Sequence, residues 1–181
     1  MPAYMRIVKL TISQKISHYI LPITLCGLGI IPLYYWMAGK TSRNLPAITL
    51  ILAASFFLFL TILMLVKQKN VLKFYSITSH LDTKTKNKIV RDIFREHKWM
   101  YVKNKHNYIQ VTGNGFRDNI DLRTWSELMT VIVYSDKIDI NSICDPDHFF
   151  AQAVSFGKNK QNIRDFEMLF LQKILEYEKK V

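Results

Sequence analysis

The chain has 181 residues, enough for one ordinary domain with additions, and carries 25 Lys and Arg against 14 Asp and Glu, a net charge of +11. Its two cysteines, Cys26 and Cys144, form no CxxC pair and support neither a disulfide scaffold nor a structural zinc site. All 14 acidic residues fall from Asp82 onward, so residues 67–181 carry 20 − 14 = +6, too sparse for a dedicated nucleic-acid binder. No specific nucleic acid is therefore expected as a partner.

Residues 1–16 form a basic flank with Arg6, Lys9 and Lys15. Two runs without Asp, Glu, Lys or Arg follow, residues 17–39 and 45–66. A bilayer core about 30 Å thick needs roughly 20 apolar residues in a helix, and both runs reach that length. They predict a transmembrane α-hairpin over residues 17–66, closed by a connector at Lys40–Asn44. Pro22 and Pro32 are tolerated in such a helix because freed carbonyls find other donors nearby. The first run is too long for the roughly 7–15 apolar residues of a signal peptide. Leu25, bulky and just before Cys26, does not fit a lipoprotein cleavage site.

The flanks each carry three cations, Arg6, Lys9 and Lys15 on one side and Lys67, Lys69 and Lys73 on the other. The connector has Lys40 and Arg43. Positive charge marks the cytoplasmic side, so both termini are expected in the cytoplasm, with Tyr34, Tyr35 and Trp36 at the outer interface. Among ionisable side chains the runs hold His18, at their edge, and there is no GxxxG pair. An anchor is expected rather than a channel, with the lipid bilayer as first partner.

Lys67–Asn70 reads as a short link to a soluble domain over residues 70–181. Leu72–Thr78 is rich in strand formers. Ser79 or Asp82 is placed to cap a helix whose stripe is Ile89, Val90, Ile93, Phe94 and His97. Lys84, Lys86, Lys88 and Arg91 are expected on its opposite, basic face. Strands follow at Trp99–Lys103 and Tyr108–Thr112, then a breaker at Gly113–Gly115. Leu128–Tyr134 and Lys137–Ile143, separated by Ser135-Asp136, form the strongest hairpin signal. A further strand is expected over Phe149–Phe156, and a last helix on Ile163, Phe166, Leu169, Phe170, Ile174 and Tyr177. The order β-α-β-β-β-β-(β)-α predicts an α+β domain, with two helices on one face of a mainly antiparallel sheet.

The stretch from Cys144 to Phe166 holds the residues most suggestive of chemistry. Asp145, Asp147 and His148 beside Cys144 are possible metal ligands, but Asp-Pro-Asp is also an ordinary turn former. Gly157 followed by Lys158, Asn159 and Lys160 enters a helix, where free N–H groups attract anions. One glycine is far from a nucleotide-binding loop. The simpler expectation is that Gly157 serves the backbone and that Asn159 or Asn162 caps the helix. A Cys144–His148 nucleophile pair would need a third, orienting group. Trp125, Phe149 and Phe150 are expected in the core or at a sheet edge rather than as stacking platforms. No catalytic, cofactor-binding or metal residue is assigned, and no cofactor is expected. Asp145, His148, Lys158, Asn159 and Lys160 remain the candidates for an anion or ligand site.

The segments WSELMTVIVYSDKIDINSICDPD and SFGKNKQNIRDF resemble an uncharacterised family of small bacterial membrane proteins, in which an apolar helical hairpin precedes an α+β domain. The features that carry the likeness are Trp125, Asn141 to Cys144, and Phe156 to Asn162. It covers residues 125–166 closely and the general layout loosely. A weaker likeness is to a domain of unknown function in bacterial lipoproteins. The resemblance implies a bacterial inner-membrane protein and transfers no site. The expected function is a non-enzymatic binding module held at the cytoplasmic membrane face. Its expected partners are an unidentified protein and anionic lipid head groups, which a basic domain complements beside a membrane. The rival readings are an immunity-type protein that neutralises a toxin at the membrane, and an enzyme acting on a phosphorylated or lipid-derived substrate.

Overall fold

The computed structural model describes residues 7–40, 46–113, 127–145 and 158–179. Two long helices come first, α1 (Ile12–Met37) and α2 (Ala47–Val71). Thr11 caps α1 with its hydroxyl, and the Gln14 side chain returns a bond to the Thr11 amide, a reciprocal capping box. At 1.5 Å per residue the helices are about 39 and 38 Å long, enough to cross a membrane. They pack side by side where Gly29 lies against Leu58 and Ala54: a Cβ on Gly29 would come within 3.1 Å of the Leu58 side chain.

Both helices extend beyond the uncharged runs. The expected link at Lys67–Asn70 is instead the last turn of α2. Lys and Gln are good helix formers, and this turn has partners. The His18 ring Nε2 lies 3.4 Å from the Gln68 carbonyl oxygen. Asn141 Nδ2 donates to the carbonyls of Val71 and Lys73, both at 2.7 Å.

The remainder is an α+β unit, as expected. Its elements are β1 (Tyr75–Thr78), α3 (Thr83–Glu96), β2 (Met100–Lys105), β3 (Tyr108–Gly113), β4 (Glu127–Val133), β5 (Lys137–Cys144) and α4 (Lys158–Glu178). The five strands form one sheet in the order β1-β5-β4-β3-β2, with every pairing antiparallel. The strand expected over Phe149–Phe156 falls outside the described residues, as do Trp125 and Gly157.

Helices α3 and α4 cover one face of the sheet. Asp82 caps α3 by accepting from the Thr85 amide at 2.9 Å, and Lys98, at φ 56°, turns the chain into β2. Between helices and sheet lie Val90, Phe94, Ile109, Val111, Met129, Val131, Ile140, Phe166 and Phe170, all fully buried. Lys86, expected on the basic face, is buried here as well. It precedes Val90 and Ile93 by four and seven residues and so shares their stripe. Its ammonium donates to the Ser135 carbonyl at 2.7 Å, tying α3 to the β4–β5 turn. Burial lowers its pKa, against the opposing pull of Asp136 and Asp82.

Gly113 ends β3 under the buried indole of Trp99. A Cβ there would meet Trp99 ring atoms at 2.8 and 2.9 Å. Gly113→Ala should therefore cost about 1–3 kcal/mol by overpacking. The denaturation midpoint of the full chain measures this, and an unchanged midpoint would refute the contact.

The second face of the sheet carries a smaller apolar cluster. Leu128 and Ile143, opposite each other on β4 and β5, pack with Val8, Leu10 and Leu72. The Val8 amide donates to the Leu72 carbonyl at 3.0 Å, and Ile7 pairs with Lys73 as an isolated bridge. The chain entering α1 and the chain leaving α2 thus meet on this face.

Candidate functional site

Of the residues singled out around Cys144 as a candidate site, the structure describes Asp145, Lys158, Asn159 and Lys160. Asp145 is buried just beyond β5 and accepts from the Thr112 hydroxyl at 2.8 Å. Lys158 and Lys160 are exposed in the first turn of α4. Asn159 is buried in that turn, and its Oδ1 has no hydrogen-bond partner among the described residues. His148 and Asp147 lie outside the described residues. Asn162 is not a cap: it sits a full turn inside α4, and its amide donates to the Ser142 hydroxyl at 3.3 Å. Asn159, Asn162, Phe166 and Phe170 form one stripe of spacing 3, 4 and 4, so both asparagines face the sheet.

One group here escaped the sequence reading. Glu127, the first residue of β4, is 1% exposed, and neither carboxylate oxygen has a hydrogen-bond partner among the described residues. Burial pushes its pKa up to about 8; Lys158 opposes the shift and Asp145 adds to it. Glu127 pairs with Cys144 across the sheet, and burial with that neighbouring charge pushes the thiol up to about 12. Cys144 is therefore a thiol rather than a thiolate at neutral pH, which argues against a nucleophile. Among the described residues no three His, Cys, Asp or Glu side chains gather as metal ligands.

The larger feature lies on the second face of the sheet. Directly opposite residues share a face, so the register sets two rows. Lys103, Gln110 and Thr130 form one; Lys105, Tyr108 and Ile132 form the other. The Gln110 amide donates to the Thr130 hydroxyl at 3.3 Å, which stiffens the first row. These rows overhang a groove of about 1260 Å³, whose far wall is the first turns of α1 with Lys15 and Tyr19. Val8, Leu10, Leu72 and Phe74 supply its apolar floor, and Lys9 joins Lys15, Lys103 and Lys105 at its rim. No carboxylate is among the described lining residues, and none of the four lysines has an ion-pair partner among the described residues.

Sequence reasoning missed this groove because its parts come from separate segments between Ile7 and Ile132. A local signal was present: Lys103-Asn104-Lys105 repeats its charge at the period of a strand, placing both ammoniums on one face. No family model matches the chain, and no curated protein or solved structure is significantly similar to it.

Proposed function

We propose that the protein is a two-helix membrane anchor that presents a small α+β binding module to the cytoplasmic membrane surface. The observation that carries this reading is the bareness of the hairpin. The most apolar stretch of each long helix is only 17% buried within the molecule, whereas a core helix of a soluble protein is mostly covered. Ile16, Ile20, Ile23, Leu52, Phe56, Phe59 and Leu63 all project outward, which a bilayer tolerates and water does not.

The way the module is mounted supports a surface role. The last turn of α2 runs without a flexible link into bonds with Asn141 on β5. The lysine-bearing second face is thereby held beside the cytoplasmic ends of the spans, where anionic lipid and membrane proteins are encountered.

The chain should stay in membranes through an alkaline wash. With Cys26 and Cys144 replaced by alanine, a cysteine at Ser42 should be labelled from outside intact cells. A cysteine at Asn70, exposed on the last turn of α2, should be labelled only after the membrane is opened. The opposite pattern would reverse the orientation; recovery of the chain in the wash would remove the anchor.

A further inference from the structure

We infer that the groove between the sheet and α1 is a binding site for the head group and glycerol region of an anionic phospholipid. This rests on the anchor reading and adds the ligand class.

Three features of the groove define its occupant. The rim is cationic, with four ammoniums from three separate parts of the chain: Lys9 before α1, Lys15 in its first turn, and Lys103 and Lys105 on β2. Unneutralised by carboxylates among the described lining residues, they create a field that selects negative charge. The floor is apolar, which a free phosphate or a highly charged peptide would leave wet and unmatched. The α1 wall is also continuous with the lipid-facing surface. Lys15 and Tyr19 line the groove, while Ile16 and Ile20, one position further along the same turns, are 58% and 53% exposed. A diacyl lipid can thus seat its phosphate among the lysines, its glycerol region on the floor, and its chains along α1. A basic recess where spanning helices leave the bilayer is a recognised form of lipid site.

The sheet is shaped for this. β2 is an edge strand, and its lysines lie toward its far end from the α3 turn. A register shift between Tyr101 and Lys103 lets Lys103 and Lys105 align with Gln110 and Tyr108. Such a bulge re-aims side chains on an edge. Charged residues on an edge also discourage strand pairing, but that role does not require them to meet Lys9 and Lys15 across a groove.

The test uses the full chain in detergent, with native mass spectrometry against phosphatidylglycerol, phosphatidylcholine and inorganic phosphate. A phosphatidylglycerol adduct should persist where phosphatidylcholine is lost. A Lys103→Gln/Lys105→Gln variant should weaken the adduct about thirty-fold, the equivalent of about 1 kcal/mol for each lysine near an anionic surface. A Lys84→Gln/Lys88→Gln control, which removes the same charge from exposed positions on α3, should leave it unchanged. A Lys9→Gln/Lys15→Gln variant should weaken it similarly, which guards against a local defect in β2. Equal weakening by the control would mean diffuse attraction and overturn the site. Equal retention of phosphatidylcholine would make it a purely apolar slot, and displacement by inorganic phosphate would make it a small-anion site; either overturns the assignment. An alkaline wash separates this inference from its premise. A chain that washes out of the membrane has lost the anchor reading, whereas one that stays yet forms no phosphatidylglycerol adduct has lost the lipid site alone.

Discussion

Raising the pH from about 5 to about 8 should destabilise the α+β unit by an amount of order 4 kcal/mol, and Glu127→Gln should abolish that dependence. Glu127 is buried with both carboxylate oxygens unpartnered among the described residues, and burial raises its pKa from 4.5 to about 8. The folded chain therefore keeps this proton over a range in which the unfolded chain has released it. Proton binding favours the fold, so the stabilisation is complete below about pH 4.5 and is lost as the pH rises through about 8. Glutamine keeps the shape without titrating. The variant should match the wild type near pH 5 and exceed it near pH 8, as measured by guanidinium denaturation at several pH values. Parallel curves for the two proteins would mean that Glu127 ionises normally in the fold.

The same residue shows where sequence reading reached its limit. The strand beginning near Leu128 was legible from a run of β-branched and apolar residues flanked by a turn. That Glu127 belongs to it, on the face toward α4, depends on the register with Cys144, and register is a long-range property. The antiparallel sheet, α3 and α4 were legible for a related reason: their periodicities are strong and local, as with Ile89, Val90, Ile93 and Phe94. A stripe of Ile89, Val90, Ile93, Phe94 and His97 with every Lys and Arg assigned to the opposite face, however, puts Lys86 on the wrong face. A long side chain with an apolar stem can follow the stripe if its tip finds an acceptor, here the Ser135 carbonyl.

The expected cap at Asn159 or Asn162 fails for a similar reason. Asparagine favours helix starts, but α4 begins at Lys158. Both asparagines fall on the register of Phe166 and Phe170, which was readable from their spacing. The end of α2 was not readable. Two lysines end the uncharged run, and the bonds that extend the helix come from His18 and from Asn141, about seventy residues later. The groove shares this character. Each lysine was visible as charge, two of them as a flank that sets orientation, but their convergence with Lys103 and Lys105 exists only once the sheet is formed.

Phe166→Ala should cost about 3–5 kcal/mol, the usual range for deleting a fully buried aromatic ring. Phe166 is 0% exposed; its ring lies 5.5 Å from that of Phe94 on α3 and 6.0 Å from that of Phe170. It thus joins both helices above the sheet, and its loss opens a cavity between three elements. A domain of this size has a total stability of about 5–15 kcal/mol, so the variant should be marginal. The long helices should respond differently, because their backbone bonds are internal and their exposed apolar side chains are served by detergent or lipid. Near-ultraviolet dichroism, which reports the packed aromatics, should collapse at lower denaturant, while much of the far-ultraviolet helix signal from α1 and α2 persists. The small cluster of Val8, Leu10, Leu72, Leu128 and Ile143 on the second face offers too little apolar area to hold the sheet alone. If Phe166→Ala costs less than about 1 kcal/mol, well below the usual range, the stability lies instead in the junction with the hairpin. Both signals of the variant would then be lost together.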